Sequence, residues 1–205
     1  HNVPLTLLGA GMLWAGWYAF NGGSALAAGN SAAIVMVTTF VATCAATLAW
    51  LVVEKFKDGH VTGVGAASGA ITGLVAITPA CGAVTPVGAI VLGVIAGVIC
   101  PYAVALKSKL GYDDTLDVVG VHLVGGIVGT LMIGFLASDS MPNATNGVFY
   151  GGGFGQLWKQ AIAAGAVIAY SFIVAFVIAY VLKLTMGIRV APEDEEKGID
   201  STIHR

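Results

Sequence analysis

Charge is the first thing this sequence lacks. Asp, Glu, Lys and Arg make up only 10% of its 205 residues, against 57% for the hydrophobic types. A soluble domain carries about a quarter charged residues, so the composition points to an integral membrane protein. The net charge of −2 comes with no basic patch to meet a phosphate backbone, which excludes a nucleic-acid-binding reading. Cysteine is scarce as well. Cys44, Cys81 and Cys100 each sit inside an apolar run, which is neither a disulfide framework nor a metal-ligand spacing. HExxH and P-loop motifs are missing, and no Ser-His-Asp arrangement can be placed. That leaves no enzyme reading, no cofactor and no metal. The chain opens on His1 in HNVP, without Met, a basic n-region or a cleavage site. This is not a signal peptide, and it reads as a start in the middle of something longer.

Glycine, by contrast, is abundant, with 29 residues and no G-X-Y period. In membrane helices glycine lets backbones approach closely. Six apolar segments follow one another. The first, Val3 to Asn21, has Pro4 in its first turn and an aromatic second half with Trp14, Trp17, Tyr18 and Phe20. Such rings either sit at a membrane interface or line a cavity. The second runs from about Ala32 to Val53. The third, about Gly65 to Pro79, is short and glycine-rich, with a small-xxx-small pair at Gly69 and Gly73; Pro79 ends or bends it. The fourth, about Pro86 to Leu106, carries another such pair at Gly93 and Gly97. The third and fourth both read as helices buried among helices. The fifth is Asp117 to Ala137, and the sixth, about Leu157 to Met186, is long and poor in glycine, as for a tilted or peripheral helix. Segments of about 20 residues fit a hydrocarbon core of about 30 Å.

The few cations orient these segments. Lys55 and Lys57, Lys107 and Lys109, and Arg189, Lys197 and Arg205 fall on one side if every segment spans. The connections 21–31, 79–85 and 138–155 contain no Lys or Arg. By the positive-inside rule the first segment runs outward and the tail is cytoplasmic. Asn143-Ala144-Thr145 forms a glycosylation sequon on the outer side, of consequence only in a eukaryotic source.

The fifth segment holds one imidazole, His122, at bilayer depth. An ionisable residue there marks a transport path by default. A neutral imidazole donates through one nitrogen and accepts through the other, so it can line a path for a small polar solute or relay a proton. Helical periodicity puts Gly125, Gly126 and Gly129 on the same thin face as His122. Asp117 is five residues earlier, too far for an i,i+4 pair; it reads as a dipole charge or cap, or as a structural carboxylate near the pore. His1, His60 and His204 read as surface residues.

Four stretches resemble the ammonium transporter family (Amt/Mep/Rh), and within it the microbial and plant Amt branch. They are GWYAFNGGS at 16–24, ASGAITGLVAITPACG at 67–82, DVVGVHLVGGIVG at 117–129 and GIRVAPEDEEKGID at 187–200. The resemblance implies an all-α polytopic membrane protein whose six transmembrane helices correspond to helices six to eleven of an eleven-helix subunit. Residues 1–137 would be the second five-helix half of an inverted repeat, 138–155 an extracytoplasmic loop, 156–187 the long peripheral last helix and 188–205 a cytoplasmic regulatory tail. It implies pore-lining roles for His122, as one of a twin-histidine pair, and for Trp17 and Phe20. It implies substrate recruitment at Ser24 and structural positions near the pore for Asp117 and Thr78. The partners it implies are ammonium or ammonia and methylammonium, two further subunits in a homotrimer, a P-II signalling protein at the cytoplasmic face and the plasma membrane. A complete pore would need the N-terminal helices, which these residues do not include. A Rh-type channel for neutral ammonia or carbon dioxide and an ammonium sensor acting through P-II are the alternatives; the tail and TPACG favour the Amt branch. No acidic ring or carbonyl filter motif supports an unrelated cation channel.

Overall fold

The computed structural model describes residues 2–142 and 144–200. His1, the sequon residue Asn143 and His204 lie outside them. The order is α1 (Val3–Gly23), α2 (Asn30–Asp58), α3 (Gly63–Ile77), α4 (Pro86–Leu110), a π-helical turn (Val118–Leu123) running into α5 (Val124–Leu136), a 3-10 turn (Val148–Tyr150), α6 (Gly155–Thr185) and α7 (Pro192–Lys197). Among the described residues, five helical stretches are long and apolar enough to cross a membrane, and α3 is a shorter apolar helix. His1–Ala164 and Gly165–Arg205 form two compact units.

In the first unit glycine sets how closely the helices pack. A Cβ on Gly93 would lie 2.3 Å from the carbonyl oxygen of Ala42, and one on Gly97 2.4 Å from that of Ala46. From α3, a Cβ on Gly69 would lie 2.9 Å from Thr47 Cα and one on Gly73 2.6 Å from Thr43 Cα, both in α2. Both small-xxx-small pairs therefore lie at backbone-to-backbone contacts, where dispersion replaces the missing hydrophobic drive. The pairings also fix direction: α4 runs parallel to α2 and α3 antiparallel to it. Lys55 and Lys57 in the last turn of α2 and Lys107 and Lys109 in that of α4 thus share one end, where they also complement the helix dipoles.

The 15 residues of α3 rise about 22 Å at 1.5 Å per residue, short of a full hydrocarbon core. The helix ends at Ile77; Thr78 keeps helical dihedrals and still bonds to the Leu74 carbonyl, and Pro79, with no N–H to donate, cannot extend the ladder. The irregular stretch that follows is covered by protein: Ala80, Cys81 and Val84 are buried. Non-helical backbone at membrane depth is tolerated only under such cover. An antiparallel bridge between Val84 and Ala137 ties this turn to the end of α5, reinforced by the Ser138 N–H donating to the Ala83 carbonyl at 3.0 Å.

At the lysine end, α3 starts on a carboxylate from α2. The Thr62 N–H and hydroxyl donate to the two Glu54 oxygens at 2.9 and 2.8 Å, and the Thr62 oxygen accepts from Gly65 N–H at 2.8 Å. A Cβ on Gly65 would lie 2.3 Å from Glu54 Oε2. Glu54→Ala is expected to cost about 2 kcal/mol, as lost charge-assisted hydrogen bonds do. Thermal unfolding of the detergent-solubilised protein checks this; an unchanged Tm would contradict it.

No residue of α6 is buried. Phe172, Phe176 and Tyr180 follow at successive turns, their rings stacked at 6.2 and 6.1 Å. Helix α7 opens on Pro192 with Glu193, Asp194 and Glu195 in its first turn, where negative charge suits the dipole. Arg189 pairs with Glu195 at 3.9 Å.

Candidate functional site

Helix α1 is built almost wholly of apolar and small residues, and Asn21 alone in it is buried. A groove runs along it. One part, about 660 Å³, is lined by Gly9, Met12, Leu13, Gly16, Trp17 and Phe20. A second part, about 350 Å³, shares Gly9 and Leu13 and adds Ala67, Ser68 and Ile71 from α3, with Asp117, Val121 and His122 beyond. The two parts share Gly9 and Leu13 on α1, with Phe20 lining the first and His122 the second.

Trp17 is anchored across the helix interface. Its indole N–H donates to Thr78 Oγ1 at 2.8 Å, and that hydroxyl donates to the Leu74 carbonyl at 2.7 Å. With its proton spent on Leu74, the threonine oxygen is left as the acceptor the indole needs. The Phe20 ring then meets Trp17 edge-on at 5.9 Å and is 62% exposed. Behind it Asn21 is buried, its amide donating to Thr39 Oγ1 at 3.1 Å. Ser24 caps the same helix, its hydroxyl donating to the Phe20 carbonyl at 2.8 Å. Trp17, Phe20 and Thr78 therefore form one cluster, with Ser24 bonded to its backbone.

His122 lies in the π-turn and is exposed in this chain. The even helical face drawn through it and the glycines differs from what is found. Gly125 packs toward Val75 and Cys100, and a Cβ on Gly129 would fall 1.9 Å from the Ala76 carbonyl oxygen. Gly125 and Gly129 face α3 and α4, whereas Gly126 has nothing within 4 Å of its Cβ position and His122 lines the groove. The wider i→i+5 turn supplies the reason, since it shifts the register ahead of α5. Asp117 lies before that turn in the left-handed region, φ 57, and its side chain makes no capping bond. Its carboxylate pairs with Lys107 instead. The capping is done by Asp114, whose two oxygens accept from Val118 and Val119 N–H at 2.8 Å each.

The sequence reading missed Ser68, Asn21 and Asp114. Ser68 and Asn21 stood inside quoted motifs without a role, and Asp114 lies beside Lys107 and Lys109, which served only to orient the segments.

The chain matches the Ammonium Transporter Family over residues 1–205. An ammonium transporter of Mycobacterium tuberculosis is 52% identical over 210 residues, covering 100% of this chain and 44% of that protein. One from Aquifex aeolicus is 49% identical, with 100% and 48% covered. The crystal structure of Saccharomyces cerevisiae Mep2 superposes with a TM-score of 0.85 at 35% identity, over 91% of this chain and 45% of that one. A structure described as a sensor Amt protein gives 0.89 at 31% identity, over 100% and 50%. Fold and groove together define a multi-pass, all-helical integral membrane protein. This chain spans about half the length of the relatives it matches. It belongs to the ammonium transporter family, whose members are transporters and not enzymes.

Proposed function

We propose that this chain is the second half, with the last helix and tail, of an ammonium transporter subunit. The observation that carries this is the groove along α1, open on one side, with Phe20 and Trp17 at one end and His122 at the other. Half a subunit matched over its full length accounts for that open side. In this reading α1 to α6 correspond to helices six to eleven, with α3 and the turn after it making up one span. Residues 1–137 form the second repeat half, 138–155 an outer loop, 156–187 the peripheral helix and 188–205 a cytoplasmic tail. The lysine end faces the cytoplasm of the cell membrane, by the positive-inside rule.

Ammonium, or methylammonium, is held outside near Ser24 and the aromatic rings by cation–π attraction. It gives up a proton to water at or below Phe20. Neutral ammonia then passes His122 and its twin from the other half, and is reprotonated by water on the far side. The proton crosses separately where the paired imidazoles relay it. Potassium has no proton to shed, so it meets the full desolvation cost in the groove. The complete subunit acts as a homotrimer, and its tail offers a site for a P-II protein. Likeness to a sensor Amt protein favours one second reading, an ammonium sensor acting through that tail.

His122→Ala in the complete subunit, reconstituted in vesicles, is expected to lower ammonium-over-potassium selectivity by about tenfold, about 1.4 kcal/mol. Unchanged rate and selectivity would refute a pore role. Signalling retained without any flux in the unaltered subunit would favour the sensor.

A further inference from the structure

We infer that Asp114, held by Lys107, is a positioning residue for the His122 imidazole and sets its direction by stabilising the π-turn beneath it. The inference rests on the pore reading of His122 given above.

A π-turn is a rare form of helix that recurs at functional sites, and the stretch it occupies, VVGVHL, offers almost no side-chain hydrogen bonding of its own. Its support comes from outside. The first N–H groups of any helix have no partner within it; here those of Val118 and Val119 each take one Asp114 carboxylate oxygen at 2.8 Å. Lys107, in the last turn of α4, closes the arrangement. Its ammonium donates to the Asp114 carbonyl at 3.0 Å and pairs with the Asp117 carboxylate. One cation thus holds both ends of the segment from which the π-turn starts.

The turn is also pressed against α4. A Cβ on Gly120 would lie 2.6 Å from Val104 Cγ2 and 2.8 Å from Val104 Cα. Val104 is three residues before Lys107, so the same stretch of α4 both packs the turn and clamps its start. Downstream, Gly125 and Gly129 fix α5 on α3 and α4. If the turn relaxed to an ordinary α register, positions ahead of α5 would rotate by about 100° for the one residue of slip. His122 would then leave the groove and turn toward the packed face. Asp114 therefore acts on the path through His122, without lining the groove next to that ring.

The test uses the complete subunit. Ammonium-over-potassium selectivity is expected to fall about tenfold in Asp114→Ala, and by less in the isosteric Asp114→Asn, which keeps an acceptor oxygen. In a His122→Ala background neither change should alter selectivity further, because the two sites act as one unit. Orientation is read independently from His122→Cys with Cys44, Cys81 and Cys100 replaced by alanine. Its labelling by the small neutral reagent methyl methanethiosulfonate should slow about tenfold when Asp114→Asn is added. Should Asp114→Ala fail to assemble, the asparagine variant carries both measurements. Unchanged labelling, or additive effects of Asp114→Asn and His122→Ala, would overturn the positioning role. Slowed labelling beside a His122→Ala subunit of normal selectivity would uphold the positioning and overturn the pore reading instead.

Discussion

Gly129→Ala is expected to destabilise the helical core by about 3 kcal/mol or more, near the upper end for over-packing. The added methyl would sit 1.9 Å from the Ala76 carbonyl oxygen and 2.8 Å from its carbonyl carbon. Those are backbone atoms in the last turn of α3, so no rotamer change can relieve the clash, and α3 and α5 must separate. Separation would disturb Val75 and Val121, which share a buried cluster with Trp17 packed against it. Gly125→Ala makes the contrast. It lies one turn earlier and meets Val75 Cγ1 at 3.4 Å and Cys100 Sγ at 3.6 Å. That is ordinary van der Waals contact, and the gain in helix propensity of about 1 kcal/mol leaves it near neutral. Thermal unfolding of the two variants in detergent should separate them clearly. Equal Tm values would mean that the tight α3–α5 approach is not maintained in the protein.

That contrast marks how far the sequence could be read. Apolar length located every long helix to within a few residues, because a bilayer demands it. The pairs Gly69–Gly73 and Gly93–Gly97 foretold close packing, since small residues four apart share one helix face. Position 129 was legible as thin but not as critical, because sequence carries no distance to Ala76. The π-turn left no trace at all: VVGVHL has the same composition in either helical register. The Trp17–Thr78 bond joins residues 61 apart, and no local pattern encodes such a pairing. Thr78 was singled out only through resemblance to a family.

Charged residues were the most under-read. In a chain with so few, the clusters near Glu54 and Lys107 served only to orient the segments. Glu54 in fact seats the start of α3, and Lys107 binds both Asp114 and Asp117. Ionisable groups near a membrane are costly unless partnered, so rarity itself was a signal that each had a specific bond to make.

Residues 1–205 on their own, inserted in vesicles, are expected to give no saturable methylammonium uptake above protein-free vesicles. The complete subunit should exceed them by about a hundredfold, the kinetic equivalent of a few kcal/mol of barrier. The reason lies in which atoms are left uncovered. Lipid is as apolar as leucine, so exposed Leu5, Leu8 and Met12 on α1 would cost little against a bilayer. His122 is different, because its ring nitrogens need polar partners that hydrocarbon does not offer. Phe20, 62% exposed, likewise narrows a passage only if something stands opposite. Selective transfer of a cation's neutral form requires the path to be closed around it, so that shedding the proton becomes cheaper than crossing charged. An open groove cannot impose that choice. Supplying the preceding half as a separate polypeptide is expected to restore uptake together with ammonium-over-potassium selectivity. Saturable, selective uptake by the 205 residues alone would show that the groove along α1 closes on itself or on a second copy, and the half-subunit reading would fall.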